Sequence, residues 1–392
     1  MSLKKFAAVA AGVTLALSLT ACGGSGAGGD ASSSAPAAGG DSSSSDAMGG
    51  DGGLIGVAMP TQTSSRWIAD GKAVKEGLEK LGYTVDLEYA NDDIPTQQQQ
   101  VDQMITKGAK ALIIAAIDGT TLSGQLQTAA DKKIPVIAYD RLIRESENVN
   151  FYTTFDNTAV GVAQADSLLV GLGLKKADGS KGDAKGPINI ELFAGSLDDN
   201  NAHFFFKGAM SVLDPLIADG TLVVKSKQTT IEQVNILRWQ QETAQKRMED
   251  LLTSTYNDGS KVQGVLSPYD GLSRGIITAL QNAGYPATVK EGFPVVTGQD
   301  AEIESVKLIA DDVQYATIFK DTRTLAAQAV TAADAFLKGE TPEANDTKTY
   351  DNGKKVVPSY LLPVVTIYAD NIQKELVDSG YWTADQVKSG IA

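Results

Sequence analysis

The sequence predicts an α/β fold of two doubly wound, Rossmann-like lobes, and three observations carry that expectation. Short apolar runs alternate with segments of helical apolar spacing, which is the pattern of a parallel sheet covered by helices on both faces. The alternation starts again after a change of register near Phe151. The folded part, from Leu54 onward, is too long for one ordinary core and fits two.

Each element has its own signal. Leu54 to Met59 is an apolar run closed by Pro60, and Arg66 to Leu81 then sets Trp67, Val74, Leu78 and Leu81 on one helical side. Tyr83 to Tyr89 alternates as a strand. Thr96 to Lys107 is helical, Ala111 to Ile117 is a wholly apolar strand, Leu122 to Lys133 is helical and Pro135 to Tyr139 is a strand. Beyond Phe151 the predicted strands are Tyr152 to Phe155, Ile188 to Phe193, Leu222 to Lys225, Val262 to Leu266, Val295 to Gly298 and Tyr315 to Phe319. Helices are predicted between them, including Ala202 to Ile217 and Trp239 to Leu252. Val356 to Tyr368 carries Pro358 and Pro363 and reads as extended segments.

The N-terminus has a different character. Lys4 and Lys5 precede an apolar stretch from Phe6 to Leu19, and small residues lead to Cys22. This reads as a secretory signal over residues 1–21, too short for an ordinary membrane span. The run Leu19-Thr20-Ala21-Cys22 resembles the lipobox of bacterial lipoproteins, which implies cleavage before Cys22 and a lipid on its sulfur. Cys22 is the single cysteine of the chain, so it has no partner for an internal disulfide. Residues 22–53 are nearly all Gly, Ser, Ala, Asp, Met and Pro after that cysteine, a composition expected to form a disordered tether. The address is therefore extracytoplasmic, with the membrane reached only through a lipid anchor. A net charge of −14 argues against nucleic acid or anionic lipid as a partner.

Ligands of open parallel sheets bind beyond the carboxyl ends of the strands. There the sequence places Arg66 and Trp67, then Asp140 and Arg141, Asp199 and Asn201, Tyr269 and Asp270, Gln299 and Asp300, and Lys320 and Asp321. Asp270 and Asp321 read as helix caps. Asp300 could also cap a helix over Ala301 to Ile309, and alternation along the strand turns Gln299 away from it. Carboxylates, guanidinium forks and amides together suit the vicinal hydroxyls of a sugar, and its C–H face suits an indole. Trp67 and Trp239 are the candidates for such stacking. For Trp67, core packing stays equally open. His203 is read as a ligand group, with a buried structural histidine as the alternative.

An enzyme finds little support. Gly271-Leu272-Ser273-Arg274-Gly275 has the spacing of a nucleophile elbow, but a loop separates it from the strand and the chain's one histidine lies upstream. A secreted hydrolase using Ser273 is the alternative of a different class. No Walker loop, strand-linked dinucleotide fingerprint or transition-metal cluster is present in the sequence. No cofactor and no metal are expected, and Asp178-Gly179 and Asp258-Gly259 read as turns.

Several of these strand ends also resemble a known family. Thr154-Phe155-Asp156-Asn157, Asp198-Asp199-Asn200-Asn201-Ala202, Leu266-Ser267-Pro268-Tyr269-Asp270-Gly271-Leu272-Ser273, Gly298-Gln299-Asp300-Ala301-Glu302 and Thr317-Ile318-Phe319-Lys320-Asp321-Thr322-Arg323 are similar to the periplasmic sugar-binding proteins of the ribose, galactose and xylose class, in their multiple-sugar-binding branch. Asn345 to Tyr350 and Val356 to Tyr360 extend the likeness to the tail. The resemblance implies a type I periplasmic-binding-protein fold with a three-strand hinge. Lobe 1 would hold residues 54–152 plus 322–356, and lobe 2 residues 153–321 plus 357–392. It implies a monomer that delivers a monosaccharide, such as glucose, galactose, arabinose or xylose, to the permease of an ABC importer. A sugar sensor for chemotaxis or signalling is the second reading. It also implies sugar contacts at Arg66, Trp67, Asp140, Arg141, Asp199, Asn201, Trp239, Asp300 and Lys320. Tyr269 stands where relatives commonly place Asn.

Overall fold

The computed structural model describes residues 52–392; the signal, Cys22 and the tether lie outside them. The chain opens with β1 (Leu54–Met59), α1 (Ser65–Lys80), β2 (Thr84–Tyr89), α2 (Ile94–Thr106), β3 (Ala111–Ile114), α3 (Ser123–Asp131), β4 (Val136–Tyr139) and β5 (Phe151–Phe155). These strands are parallel, and with β11 (Ser359–Leu362) at one edge the sheet order β11-β5-β4-β3-β1-β2 reverses between β1 and β3. Fully apolar β3 and β4 are buried on both faces. Separate clusters of aliphatic side chains fill the two sides of the sheet.

The second lobe continues with α4 (Asn157–Gly171), β6 (Ile188–Leu192), α5 (Asn200–Ala218), β7 (Leu222–Val224), α6 (Ile231–Val234), α7 (Gln241–Ser254), β8 (Gly264–Leu266), α8 (Asp270–Asn282), β9 (Val295–Val296) and α9 (Ile303–Ala310). Its four strands are again parallel, in the order β7-β6-β8-β9. Helices α4 and α5 pack backbone to backbone at Gly161, where a Cβ would run into the Phe205 carbonyl. The chain then forms β10 (Thr317–Phe319), α10 (Thr322–Leu337), β11 (Ser359–Leu362), β12 (Val365–Ile367) and α11 (Ala384–Ser389).

Strand pairing moves two of the expected lobe limits. All of β5 belongs to the first sheet, and β11 pairs with it in parallel as the edge strand. Residues 153–155 and 357–362, expected in lobe 2, therefore hydrogen-bond within lobe 1. The chain leaves that sheet after Leu362, and β12 pairs antiparallel with β10. The tail also folds back: Trp382 Nε1 donates to the Ala301 carbonyl at 2.9 Å, and Leu376 is buried against α9.

Two local expectations fail for a backbone reason. Trp239 does not begin a helix but ends a 3₁₀ turn, Leu237–Trp239, and α7 starts at Gln241. Arg238 and Trp239 both have φ of 55°, which ends any helical run. The strand expected over Val295 to Gly298 stops at Val296, because Gln299 bridges to Ile318 and Asp300 turns to φ 92°.

Candidate functional site

The carboxyl ends of the two sheets face each other across a cavity. Loops after β1, β4, β6, β8, β9 and β10 open into it, and about 530 Å³ there, its mouth included, is free of protein atoms. Of the residues proposed from the sequence, Arg66, Trp67, Asp140, Arg141, Asp199, Asn201, Trp239, Tyr269, Asp300 and Lys320 line this space, and His203 does not.

Arg66 is the hub. It sits in the first turn of α1, so Asp70 falls one turn further along the same face, and Arg66 Nε donates to Asp70 Oδ2 at 2.9 Å. Nη2 donates to Asp140 Oδ1 at 2.5 Å, and Nη1 lies 3.8 Å from Asp300 Oδ1. Burial opposes its charge, yet Asp140, Asp70 and Asp300 together hold its pKa well above the ordinary value. Lys320, 2% exposed, adds a second cation 3.1 Å from Asp300 and 3.7 Å from Asp140. Burial works against ionised Asp140, but Arg66 and Lys320 outweigh it and keep its pKa below the usual carboxylate range.

Backbone geometry aims these groups. Asp140 has φ of 59°, and its carbonyl accepts from Tyr152 Oη at 2.6 Å, Thr154 Oγ1 at 2.9 Å and Asn201 Nδ2 at 2.8 Å. Three donors thus pin a turn that projects the carboxylate forward. Asn201 Oδ1 also accepts from Asn157 Nδ2 at 3.0 Å and lies 2.9 Å from the Tyr152 hydroxyl oxygen, so its amide is largely committed to the protein. Asp199 caps α5 through the Asn201 N–H at 3.0 Å, and burial raises its pKa against the pull of Arg141.

Some polar atoms are incompletely satisfied. Asp300 Oδ1 lies 3.1 Å from Lys320 Nζ and Arg141 Nε 3.1 Å from Asp199 Oδ2, but neither contact has hydrogen-bond alignment. Trp239 Nε1 is buried and unpaired. Trp239 Nε1, facing the cavity with no acceptor, and the two misaligned ion pairs leave hydrogen-bonding capacity that a ligand can take up. The lining holds four cations (Arg66, Arg141, Arg238, Lys320) and four carboxylates (Asp92, Asp140, Asp199, Asp300), a balance that suits a neutral, polyhydroxylated molecule.

Both tryptophans reach the cavity. Trp67 packs into the first core, the second of its two open roles, while the Arg66 and Arg141 guanidinium carbons lie 4.4 and 5.1 Å from its ring centroid at the cavity side. Trp239 meets Phe205 and Tyr269 edge-on at 6.3 and 6.1 Å. Its indole fills the place where a Cβ of residue 195 would be, which restricts that position to Gly195.

The periplasmic binding protein domain is matched over residues 55–341. The chain belongs to this family. It is 56% identical over 342 residues to the multiple sugar-binding periplasmic receptor ChvE of Rhizobium radiobacter, spanning 87% of this chain and 94% of that one. An ABC transporter solute binding protein from Clostridium phytofermentans with bound β-D-glucose superposes with a TM-score of 0.80 at 46% identity, covering 86% of this chain and 100% of that chain. A carbohydrate transporter solute binding protein from Chloroflexus aurantiacus in complex with D-glucose gives a TM-score of 0.74 at 39% identity, covering 85% and 98%. The type I fold expected from the sequence is the fold of this family.

A binding protein of this family is not an enzyme, and the local geometry of Ser273 agrees. Ser273 is buried inside α8 and donates to the Thr297 carbonyl at 2.6 Å. Other readings need correction. His203 is exposed and bonds the Leu197 carbonyl at 3.2 Å, outside the cavity lining. Asp300 caps nothing, since α9 starts at Ile303 with Glu302 as its cap residue. Gln299 lines the cavity beside Asp300, because the strand has already ended and alternation no longer applies. Asp270 is not a cap. Its buried carboxylate accepts from Glu302 N, Gln314 Nε2 and Thr317 Oγ1 at 3.0, 2.9 and 3.0 Å, tying α8 to the Asp300 loop.

Sequence reasoning missed Arg238, Asp92, Phe205 and the Thr61–Ser64 loop as lining groups. One signal was available for Arg238: the dipeptide Arg-Trp occurs at Arg66-Trp67 and again at Arg238-Trp239, once per lobe.

Proposed function

We propose that this chain is the receptor component of an ABC sugar importer, holding one neutral aldopyranose, with D-glucose the first candidate, in the cavity between its lobes. The observation that carries the reading is a cavity lined by four cations and four carboxylates, where Asp300 Oδ1 and Arg141 Nε make ion pairs but no aligned hydrogen bond and Trp239 Nε1 has no acceptor. Vicinal hydroxyls can donate to the carboxylates and accept from the guanidinium and indole N–H groups. The ring's C–H face has Trp239, braced by Phe205 and Tyr269, as its support. Glucose bound in the two solved relatives favours the same ligand class.

The receptor acts on the extracytoplasmic side, tethered by a lipid on Cys22 through residues 22–53, and works as a monomer beside its permease. Cys22→Ser should release the chain from the membrane fraction; a variant processed and retained like the wild type would refute the anchor.

Calorimetric titration with D-glucose, D-galactose, L-arabinose and D-xylose tests the ligand, with one sugar bound per chain as the expected result. Asp300→Asn should stay folded with a lowered melting temperature, since buried Lys320 loses its nearer counter-charge, and should lose about ten- to a hundredfold in affinity, the worth of a weakened charged hydrogen bond. Unchanged affinity in the folded variant would remove Asp300 from the site.

A further inference from the structure

One buried carboxylate beside the cavity is not part of its lining. Glu302, 2% exposed, is the cap residue of α9 in the second lobe. Its Oε2 accepts from Arg274 Nη2 at 2.7 Å and its Oε1 from Tyr269 Oη at 2.9 Å, both donors of the same lobe. Its backbone N–H is held by Asp270 Oδ2 at 3.0 Å. The carboxylate is therefore fixed within its own lobe. A third donor comes from the other lobe: Ser64 Oγ, just before α1, donates to Glu302 Oε1 at 2.5 Å.

We propose that Glu302 is a positioning residue that latches the lobes together through Ser64, and so slows release of the bound sugar; the proposal rests on the cavity being a sugar site. A hydroxyl bonded to a buried carboxylate makes a stronger bond than a neutral pair. When the lobes part, Glu302 keeps Arg274 and Tyr269, and only the Ser64 bond is lost. The same Oε1 orients Tyr269, whose ring meets Trp239 edge-on at 6.1 Å. Closure is thereby linked to the aromatic wall of the cavity.

The test measures release of radiolabelled D-glucose on dilution from wild type, Ser64→Ala, Glu302→Gln and the double variant. Each single variant should release sugar about tenfold faster, the loss expected for one charged hydrogen bond, with the association rate unchanged. The double variant should be no faster than the faster single. Unchanged release in a folded single variant overturns the latch. So do effects that multiply in the double variant, which would mean that Ser64 acts on the sugar directly. If Glu302→Gln does not fold, Ser64→Thr decides: keeping the hydroxyl must keep slow release, and equal loss in Thr and Ala variants overturns the proposal. A wild-type chain that binds none of the four aldoses overturns the sugar reading instead. The latch is then read by solution X-ray scattering of the sugar-free protein, where Ser64→Ala must shift the lobes toward an open form and an unchanged profile refutes it.

Discussion

Two Arg-Trp pairs reach the cavity, one from each lobe, and they are held in opposite ways. Arg66-Trp67 lies in the first turn of a regular helix. Arg66 there is buried among three carboxylates, and Trp67 is packed into the core behind it. Arg238-Trp239 lies in a turn where both residues adopt left-handed backbone angles, a conformation that disfavours each by roughly 1–2 kcal/mol. Arg238 has one carboxylate partner, Asp198 at 2.7 Å, and its side chain remains 22% exposed. It also reaches across to the Ile117 carbonyl at 3.3 Å, so part of what holds the turn comes from the opposite lobe. The first pair is a fixed platform built into a domain core. The second is a turn held by Asp198 and Ser196 of its own lobe and steadied by one bond from the other.

The largest expected effect tests the platform. Arg66→Ala leaves Asp70, Asp140 and Asp300 without their shared cation and should destabilise the protein by about 3–5 kcal/mol while abolishing sugar binding. Arg66→Lys should recover only part of either, since one ammonium cannot fork to several carboxylates. Denaturant unfolding and titration check both, and a stable Arg66→Ala protein would break the contrast.

Next comes pH. Burial lifts the Asp70 pKa from 3.8 to about 6, against the pull of Arg66 and the Tyr139 hydroxyl. The folded state therefore keeps a proton that the unfolded chain releases between these values. The stability tied to that proton is complete below pH 3.8 and is lost as pH rises through about 6. Its size is about 3 kcal/mol for a shift of some two units. Melting temperatures of wild type and Asp70→Asn, compared from pH 4 to 7, should show the wild type losing ground as pH rises; parallel curves would mean that Asp70 does not titrate there.

The tryptophans should separate stability from affinity. Trp67→Leu removes core volume and should cost about 2–3 kcal/mol of stability as well as binding. Trp239→Leu should leave stability nearly intact and weaken sugar binding by about tenfold. Equal destabilisation by both would erase the distinction. Affinity is the right readout, because Trp382 is bonded to the Ala301 carbonyl beside Asp300 and would contribute to any emission change. The smallest effect is Arg238→Gly. It relieves one left-handed residue and should raise the stability of the isolated protein by up to about 1 kcal/mol. Its affinity should fall only a few-fold, since Asp198 is solvent-accessible enough to tolerate the loss. A fall in melting temperature would show that the turn is not strained.

The sequence by itself determined the two α/β lobes and the six strand ends that carry the site. Both follow from local patterning: apolar runs of strand length between amphipathic helices, with polar groups where each run stops. It could not decide where strands yield to turns. Val295 to Thr297 has strand propensity, but the strand ends at Val296, and the bridge from Gln299 to Ile318 and the turn at Asp300 bring Gln299 and Asp300 to the same cavity. The repeated Arg-Trp dipeptide pointed to Arg238 but could not show its left-handed turn, whose support is the distant Ser196 hydroxyl and a carbonyl of the other lobe. The sequence also misjudged His203, since nothing local distinguishes the exposed side of α5 from the side that meets the cavity. Tertiary structure alone decided which carboxylates share a cation and which hydroxyl crosses to Glu302. Those pairings join residues as far apart as Ser64 and Glu302, separated by 238 positions, and such contacts depend on how two complete lobes meet rather than on any window of sequence.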